Sequence, residues 1–242
     1  MDDNPFPEIA DIKRYFLETE KRITDILKSG SLTNSKVEKS GQFLKNHVGS
    51  KQTLVVLYVD LVDSTLMMRD VSVDMLSTII QMFHQEMSFA ISNFNGHVLK
   101  YVGDAVIAFF PIDLDKSCYS NAISCAFYMI YILKEVINPV LIQNKYNQLH
   151  IRIGIDIGEH SIIQYELGGK HYTDIIGYGI SMASKLTKLA NPDQITTSHY
   201  VYINMYPSLR KRFSELEISS RIWKYIDGKM QKGIWRSLDN CL

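Results

Sequence analysis

Cysteine is scarce in this chain: there are three among 242 residues, Cys118, Cys125 and Cys241, an odd number with no metal-ligand spacing. That excludes a disulfide framework and points to a reducing compartment, with two of the thiols serving as small core residues. An excess of either charge is also missing, since 26 Lys and Arg balance 26 Asp and Glu. Bulk electrostatics therefore give no reason to expect nucleic acid or an anionic membrane as partner. The most hydrophobic stretch, Cys125 to Leu133, is stopped by Lys134 and Glu135, well short of a membrane span. Met1-Asp-Asp-Asn-Pro5 is acidic and polar, unlike the start of a signal peptide, and a cytoplasmic location is expected. The seven histidines are scattered, none at the i, i+4 spacing of a metal-binding helix, so structural or surface roles are expected of them.

What the chain does have is length for one large domain with an appendage, and clear periodicity. Residues 7–29 read as a helix, with Ile9, Phe16 and Ile23 on one heptad position and Ile12, Thr19 and Ile26 on another. Packing on its own domain and pairing with a second copy are both open to that helix. Turn formers from Ser29 to Ser35 end it, and the polar residues 36–51 read as a connector. Residues 1–50 are thus taken as an N-terminal helical segment and 51–242 as the domain proper. Within the latter, strands are expected at 53–60, 97–102, 104–110, 150–157 and 159–166, with shorter ones near 194–198, 219–225 and 232–237. Helices are expected at about 73–94, 116–138 and 178–190, with Met75, Met82 and Met87 as core filler. The class is α+β, and the order β-α-β-β-α-β predicts a ferredoxin-like core with C-terminal additions, a fold that hosts many functions.

Two aspartates stand out because each closes an apolar run: Asp60 after Thr53-Leu-Val-Val-Leu-Tyr-Val, and Asp104 just before Ala-Val-Ile-Ala-Phe-Phe110. An ionised carboxylate at the edge of a buried strand is costly unless a cation or hydrogen-bond donors compensate it. Either could simply cap a turn. Together they suit a divalent metal, which takes one or two carboxylates and completes its shell with substrate phosphates.

Four segments in order, Tyr58-Val-Asp-Leu-Val-Asp-Ser-Thr65, Lys100-Tyr-Val-Gly-Asp104, Ile151-Arg-Ile-Gly-Ile-Asp-Ile-Gly158 and Asp174-Ile-Ile-Gly177 through Lys185, give a resemblance to the class III nucleotidyl cyclase catalytic domain. The resemblance implies that Asp60, Asp104 and the carbonyl of Leu61 bind two Mg²⁺ or Mn²⁺ ions per site. It implies that Val62, Asp63, Ser64 and Thr65 form the turn whose N–H groups hold the triphosphate. Lys100 and Asp174 match the pair that reads adenine: lysine donates to ring N1 and aspartate accepts from the exocyclic amine. Ser181 and Lys185 stand where the family usually has asparagine and arginine, the residues that position the ribose and steady charge on the α-phosphate. Lysine keeps the charge without the planar fork, and serine keeps a hydroxyl on a shorter reach.

The activity so implied is adenylate cyclase, converting ATP to 3′,5′-cyclic AMP and pyrophosphate at the interface of a homodimer. Its alternative is a catalytically weakened module that binds nucleotide and signals. A pyrimidine substrate is opposed by the Lys100 and Asp174 pair, and a diguanylate cyclase by the turn Val102-Gly-Asp-Ala105. Tyr172 could lie near the base or merely pack, and Lys229, Lys232 and Arg236 are basic residues that could approach the triphosphate.

Overall fold

The computed structural model describes residues 9–29, 39–112, 114, 116–218 and 233–238. Strands β1 (Lys51–Leu61), β2 (His97–Val102), β3 (Ala105–Pro111) and β4 (Ile151–Leu167) form the centre of one sheet. Helices α3 (Ser64–Asp70) and α4 (Val73–Asn93) connect β1 to β2, and a helical stretch beginning with α5 (Ser117–Ile132) connects β3 to β4. The order β2-β3-β1-β4, antiparallel throughout, is the expected ferredoxin-like core. Beyond it come β5 (Lys170–Gly177), α7 (Tyr178–Thr187), β6 (Gln194–Ser198), α8 (His199–Asn204), α9 (Pro207–Arg210), β7 (Phe213–Leu216) and β8 (Ile234–Ser237). Of these, β6, β8 and β7 extend the sheet from β4. The strand expected near 219–225, with Lys229 and Lys232, lies outside the described residues; Arg236 is on β8.

Alternation along β1 divides the two faces. Val55, Leu57, Val59 and Leu61 join Met82, Phe83, Met87, Phe127 and Ile130 in the main core beneath α4 and α5. The opposite face carries Leu54, Val56, Tyr58 and Asp60, and α7 lies over it. Gly154 permits that close approach, because a Cβ there would stand 2.1 Å from the Ala183 carbonyl oxygen.

Three elements differ from expectation. First, β4 is a single 17-residue strand rather than two, with Gly158 inside it. The reversal occurs at Gly168-Gly169, and the polar segment after it forms β5, an outer strand whose exposed half gave no apolar alternation to read. Second, the supposed connector contains α2 (Lys39–Asn46), whose Leu44 packs with Leu54, Phe109, Ile162 and Ile175. Third, the long helix continues from α5 through a π turn (Leu133–Ile137) into α6 (Asn138–Gln143). The π turn accommodates Pro139, which lacks an N–H for a regular α-helix. This stretch, Ser117–Gln143, is long and apolar enough to cross a membrane, yet Cys125, Met129, Leu133 and Ile137 are fully buried in the core.

Helix α1 (Ile9–Ser29) packs on its own domain: Ile23 and Ile26 belong to the main core, and Phe16 stacks on Tyr131. Its anchor is Arg22, whose guanidinium donates to both oxygens of Glu86 on α4, at 2.9 and 2.7 Å, and to Thr19 Oγ1. The Glu86 side chain is 1% exposed, so the pair is desolvated. Removing one partner of such a pair leaves a buried charge and costs about 3–5 kcal/mol, whereas replacing both with apolar groups can be neutral. Arg22→Ala is therefore expected to lower the unfolding free energy by about that amount in a urea melt, and Arg22→Met with Glu86→Leu to recover most of it.

Candidate active site

Asp60, on β1, and Asp104, in the turn between β2 and β3, lie close enough for the charge of the second to act on the first. Val59 pairs with Val106, so Asp60 lies one step beyond that rung, level with the Gly103-Asp104 turn joining β2 and β3. Burial raises the Asp60 pKa above the ordinary carboxylate value, and the negative charge of Asp104 raises it further. Opposing this are Arg152, directly across the β1–β4 ladder from Asp60, the Leu61 N–H, and Lys188 at the end of α7. Tyr58, on the same face, hydrogen-bonds Ser184 of α7, and burial together with both aspartates raises its pKa. Two neighbouring carboxylates at a strand end, with their repulsion only partly relieved, have the chemistry that suits a hard divalent cation. Among the described residues no three His, Cys, Asp or Glu side chains gather at one point, so the remaining ligands would have to come from substrate and water.

After Leu61 the chain leaves the sheet. The N–H of Val62 donates to the His150 carbonyl oxygen at 2.8 Å, which removes it from the donors expected to face a triphosphate. Asp63, in the left-handed region at φ 54°, turns the chain into α3, and Ser64 and Thr65 open that helix. As the start of a helix, 63–65 have N–H groups with no partner inside it.

Lys100 and Asp174 come together within one chain. The Lys100 ammonium donates to both oxygens of Asp174, at 2.8 and 2.6 Å, and the Ile175 N–H adds a third bond to the carboxylate. Strands β2 and β5 are separated by β3, β1 and β4 in the sheet order, so this contact requires the sheet to curl. A bulge between Val98 and Lys100 places Lys100 opposite Ile107, which pairs in turn with Tyr58. Lys100 thus shares the face that carries Tyr58 and Asp60. Ser181, exposed, and Lys185, half-buried, lie one turn apart on α7. The ring of buried His160 is wedged against the backbone of Gly177 and Gly179, fixing the β5–α7 junction between Asp174 and Ser181.

Residues 47–232 match the adenylate and guanylate cyclase catalytic domain family. The chain belongs to this family. Among relatives, it is 32% identical over 114 residues to the cytidylate cyclase of Escherichia coli, covering 43% of this chain and 25% of that one. It is 25% identical over 202 residues to the uridylate cyclase of Rhodovulum sp. (strain MB263), covering 81% and 82%. The chain thus spans a quarter of the first relative's length and most of the second's. Among solved structures, the adenylyl cyclase CyaB from P. aeruginosa superimposes with a TM-score of 0.64 at 22% identity, covering 78% of this chain and 95% of that one. That likeness shows the cyclase fold.

The sequence reading passed over Arg152, Tyr58, Ser184 and Lys188. Arg152 and Tyr58 stood inside the motifs that carried the family resemblance, yet only the β1–β4 register and the seat of α7 set them near Asp60. Asp156 is a different case. It is buried on β4 with no cation, and burial pushes its pKa up to about 6. A carboxyl whose folded-state pKa is raised binds its proton more tightly folded than unfolded. Its penalty is therefore fully present above pH 6 and vanishes as pH falls to about 4. Asp156→Asn is expected to stabilise the cyclase domain at pH 7 by up to about 3 kcal/mol, a gain that denaturant melts should find lost near pH 4.

Proposed function

We propose that this cyclase domain converts a nucleoside triphosphate whose base bears an exocyclic amine into its 3′,5′-cyclic monophosphate and pyrophosphate. The observation carrying this reading is the Lys100–Asp174 pair, one donor and one acceptor held side by side. With Lys100 at the ring nitrogen and Asp174 at the exocyclic group, adenine presents acceptor N1 and amine N6, and cytosine presents acceptor N3 and amine N4. Guanine and uracil present the reverse order. The sequence motifs favour ATP. CTP is the second reading, since cytosine satisfies the same two groups and the E. coli relative is named for cytidylate; the pair's chemistry does not oppose this pyrimidine.

In the reaction the ribose 3′-oxygen bonds to the α-phosphorus, the bond to the β-phosphate oxygen breaks, pyrophosphate leaves, and the 3′-hydroxyl proton passes to solvent. Asp60, Asp104 and the Leu61 carbonyl would hold Mg²⁺ or Mn²⁺, two ions per site in this reading, which supply acidification of the 3′-hydroxyl and neutralisation of phosphate charge. Arg152 and the 63–65 turn border these carboxylates and would meet the triphosphate, while Ser181 and Lys185 would meet ribose and α-phosphate. Orientation and electrostatics then carry the rate, with no obligate side-chain base.

A homodimer is part of this reading. On the β4–β5 arm, Tyr165, Leu167, Tyr172 and Ile176 share the face of Asp174 by alternation and pairing, and all four are exposed. Tyr165 and Tyr172 stack on each other there. An apolar face of this kind beside the base-reading pair suits a second copy, which would complete the cleft. Buried thiols at Cys118 and Cys125 agree with a cytoplasmic setting.

The test is incubation with each of the four ribonucleoside triphosphates and Mg²⁺ or Mn²⁺, with products identified by mass. Cyclic AMP or cyclic CMP is expected, falling to background in Asp104→Ala. Lys100→Ala and Asp174→Ala should each erode discrimination against the oxo bases by about tenfold to a hundredfold. Cyclic GMP or cyclic UMP as main product would overturn the base assignment. Tight nucleotide binding without product would favour a non-catalytic signalling module, the reading supported by Ser181 and Lys185 in place of asparagine and arginine.

A further inference from the structure

Asp104 sits in a tight turn, after Gly103 at φ +62° and beside the exposed Val102. The hairpin is a two-residue turn, and α4 packs against the strand that leads into it. The ring of His84 stacks on Tyr101, with centroids 4.6 Å apart and planes 20° from parallel. The Tyr101 hydroxyl is 2.9 Å from Ser88 Oγ, and the buried Ser88 hydroxyl donates to the His84 carbonyl oxygen at 2.6 Å. With that carbonyl acceptor satisfied by Ser88, the phenol is the donor to Ser88 Oγ. The His84 ring also lies against the backbone of Gly103 and within the field of Asp104, its Nε2 buried with no hydrogen-bond partner among the described residues. One side chain of α4 therefore packs on Tyr101 near the end of β2 and against the residue preceding Asp104, and a second locks the ring that the first stacks upon.

We propose that His84, with Tyr101 and Ser88, is a positioning device for Asp104, holding the hairpin turn where its carboxylate and that of Asp60 face one cation. This rests on the reading of Asp104 as a metal ligand. His84 need not touch substrate or metal; it acts through the turn. Partners that orient a ligand in this way typically govern about 10- to 100-fold in metal affinity.

Mn²⁺ binding to the purified protein, followed by the electron paramagnetic resonance of free Mn²⁺, tests this directly. His84→Ala is expected to weaken Mn²⁺ binding by about 10- to 100-fold, and His84→Asn, which keeps a planar polar group against Tyr101 and the Gly103 turn, to restore part of it. Tyr101→Phe, which keeps the stacked ring and loses only the hydroxyl, should fall at the small end, about tenfold. The ratio of products from competing nucleotides should not change, because Lys100, though it adjoins Tyr101 on β2, alternates to the other face of the sheet. A brace that served only stability would lower the melting temperature and leave Mn²⁺ affinity of the folded protein as in wild type; that result in His84→Ala overturns the proposal. Should His84→Ala not fold, wild-type affinity in both His84→Asn and Tyr101→Phe overturns it equally. Wild-type protein whose Mn²⁺ binding is indifferent to Asp104→Ala also overturns it. Mn²⁺ binding that depends on Asp104 and His84, in a protein that makes no cyclic nucleotide, would sink the cyclase reading and leave the brace standing.

Discussion

Two carboxylates near enough for one to raise the pKa of the other stand at the edge of a buried sheet, and several elements of the domain bear on that unfavourable pair. Asp60 follows a strand whose neighbours Val59 and Leu61 are buried, so it cannot turn far from its place. Asp104 follows a strand end, at Tyr101, that α4 packs against through His84. Arg152 and Lys188 supply positive charge from two further elements, enough to temper the repulsion without forming a closed ion pair. A neutral residue at either aspartate would relax this corner, which is the usual trade between local stability and a site poised for a charged ligand.

The same geometry explains why so many elements beyond the ferredoxin-like core are needed. Lys100 and Asp174 start on strands with three others between them, and only a curled sheet joins them. The buried rung Ile162–Ile175 on the arm packs under Leu44 of α2, which also touches Leu54 and Phe109 of the core. Helix α2 is therefore the clamp that draws the arm toward β2. Helix α7 sits on Gly154, with the Thr187 hydroxyl bonded to the Ala183 carbonyl oxygen, so Ser181 and Lys185 take their places from the sheet beneath them. The N-terminal helix backs the opposite layer through Arg22 and Glu86.

The βαββαβ order was legible because its strands are apolar and its helices strongly periodic. The two aspartates were legible because charge at the end of such a strand is conspicuous. The β5 strand was not, since Lys170-His-Tyr-Thr173 pairs along an exposed arm and carries no burial pattern to detect. Helix α2 was missed because only Leu44 and Phe43 within 39–46 face the core, too few for a period. Arg152 and Lys188 could not be assigned for a deeper reason: their relation to Asp60 exists only through strand register and helix seating, which are long-range facts. The Val62 N–H, assigned by motif to the phosphate turn, illustrates the converse. A motif gives residue types, while the pairing partner, here the His150 carbonyl, decides which groups remain free.

Base selection under the proposed reading turns on what happens when Lys100 and Asp174 part. The pair is partly solvated, with side chains 40% and 26% exposed, and ion pairs in such settings contribute only about 0–1 kcal/mol. Opening it to admit a base is therefore cheap. The discrimination lies in the state reached afterwards, because a base in the wrong polarity would leave an ammonium facing a donor and a carboxylate facing an acceptor. Adenine and cytosine escape that penalty equally at these two groups, so choosing between them falls to the size of the cleft rather than to its hydrogen bonds. In the proposed homodimer the wall that sets this size would include side chains of the second copy, so substrate choice and dimer geometry would be one property of the protein, not two.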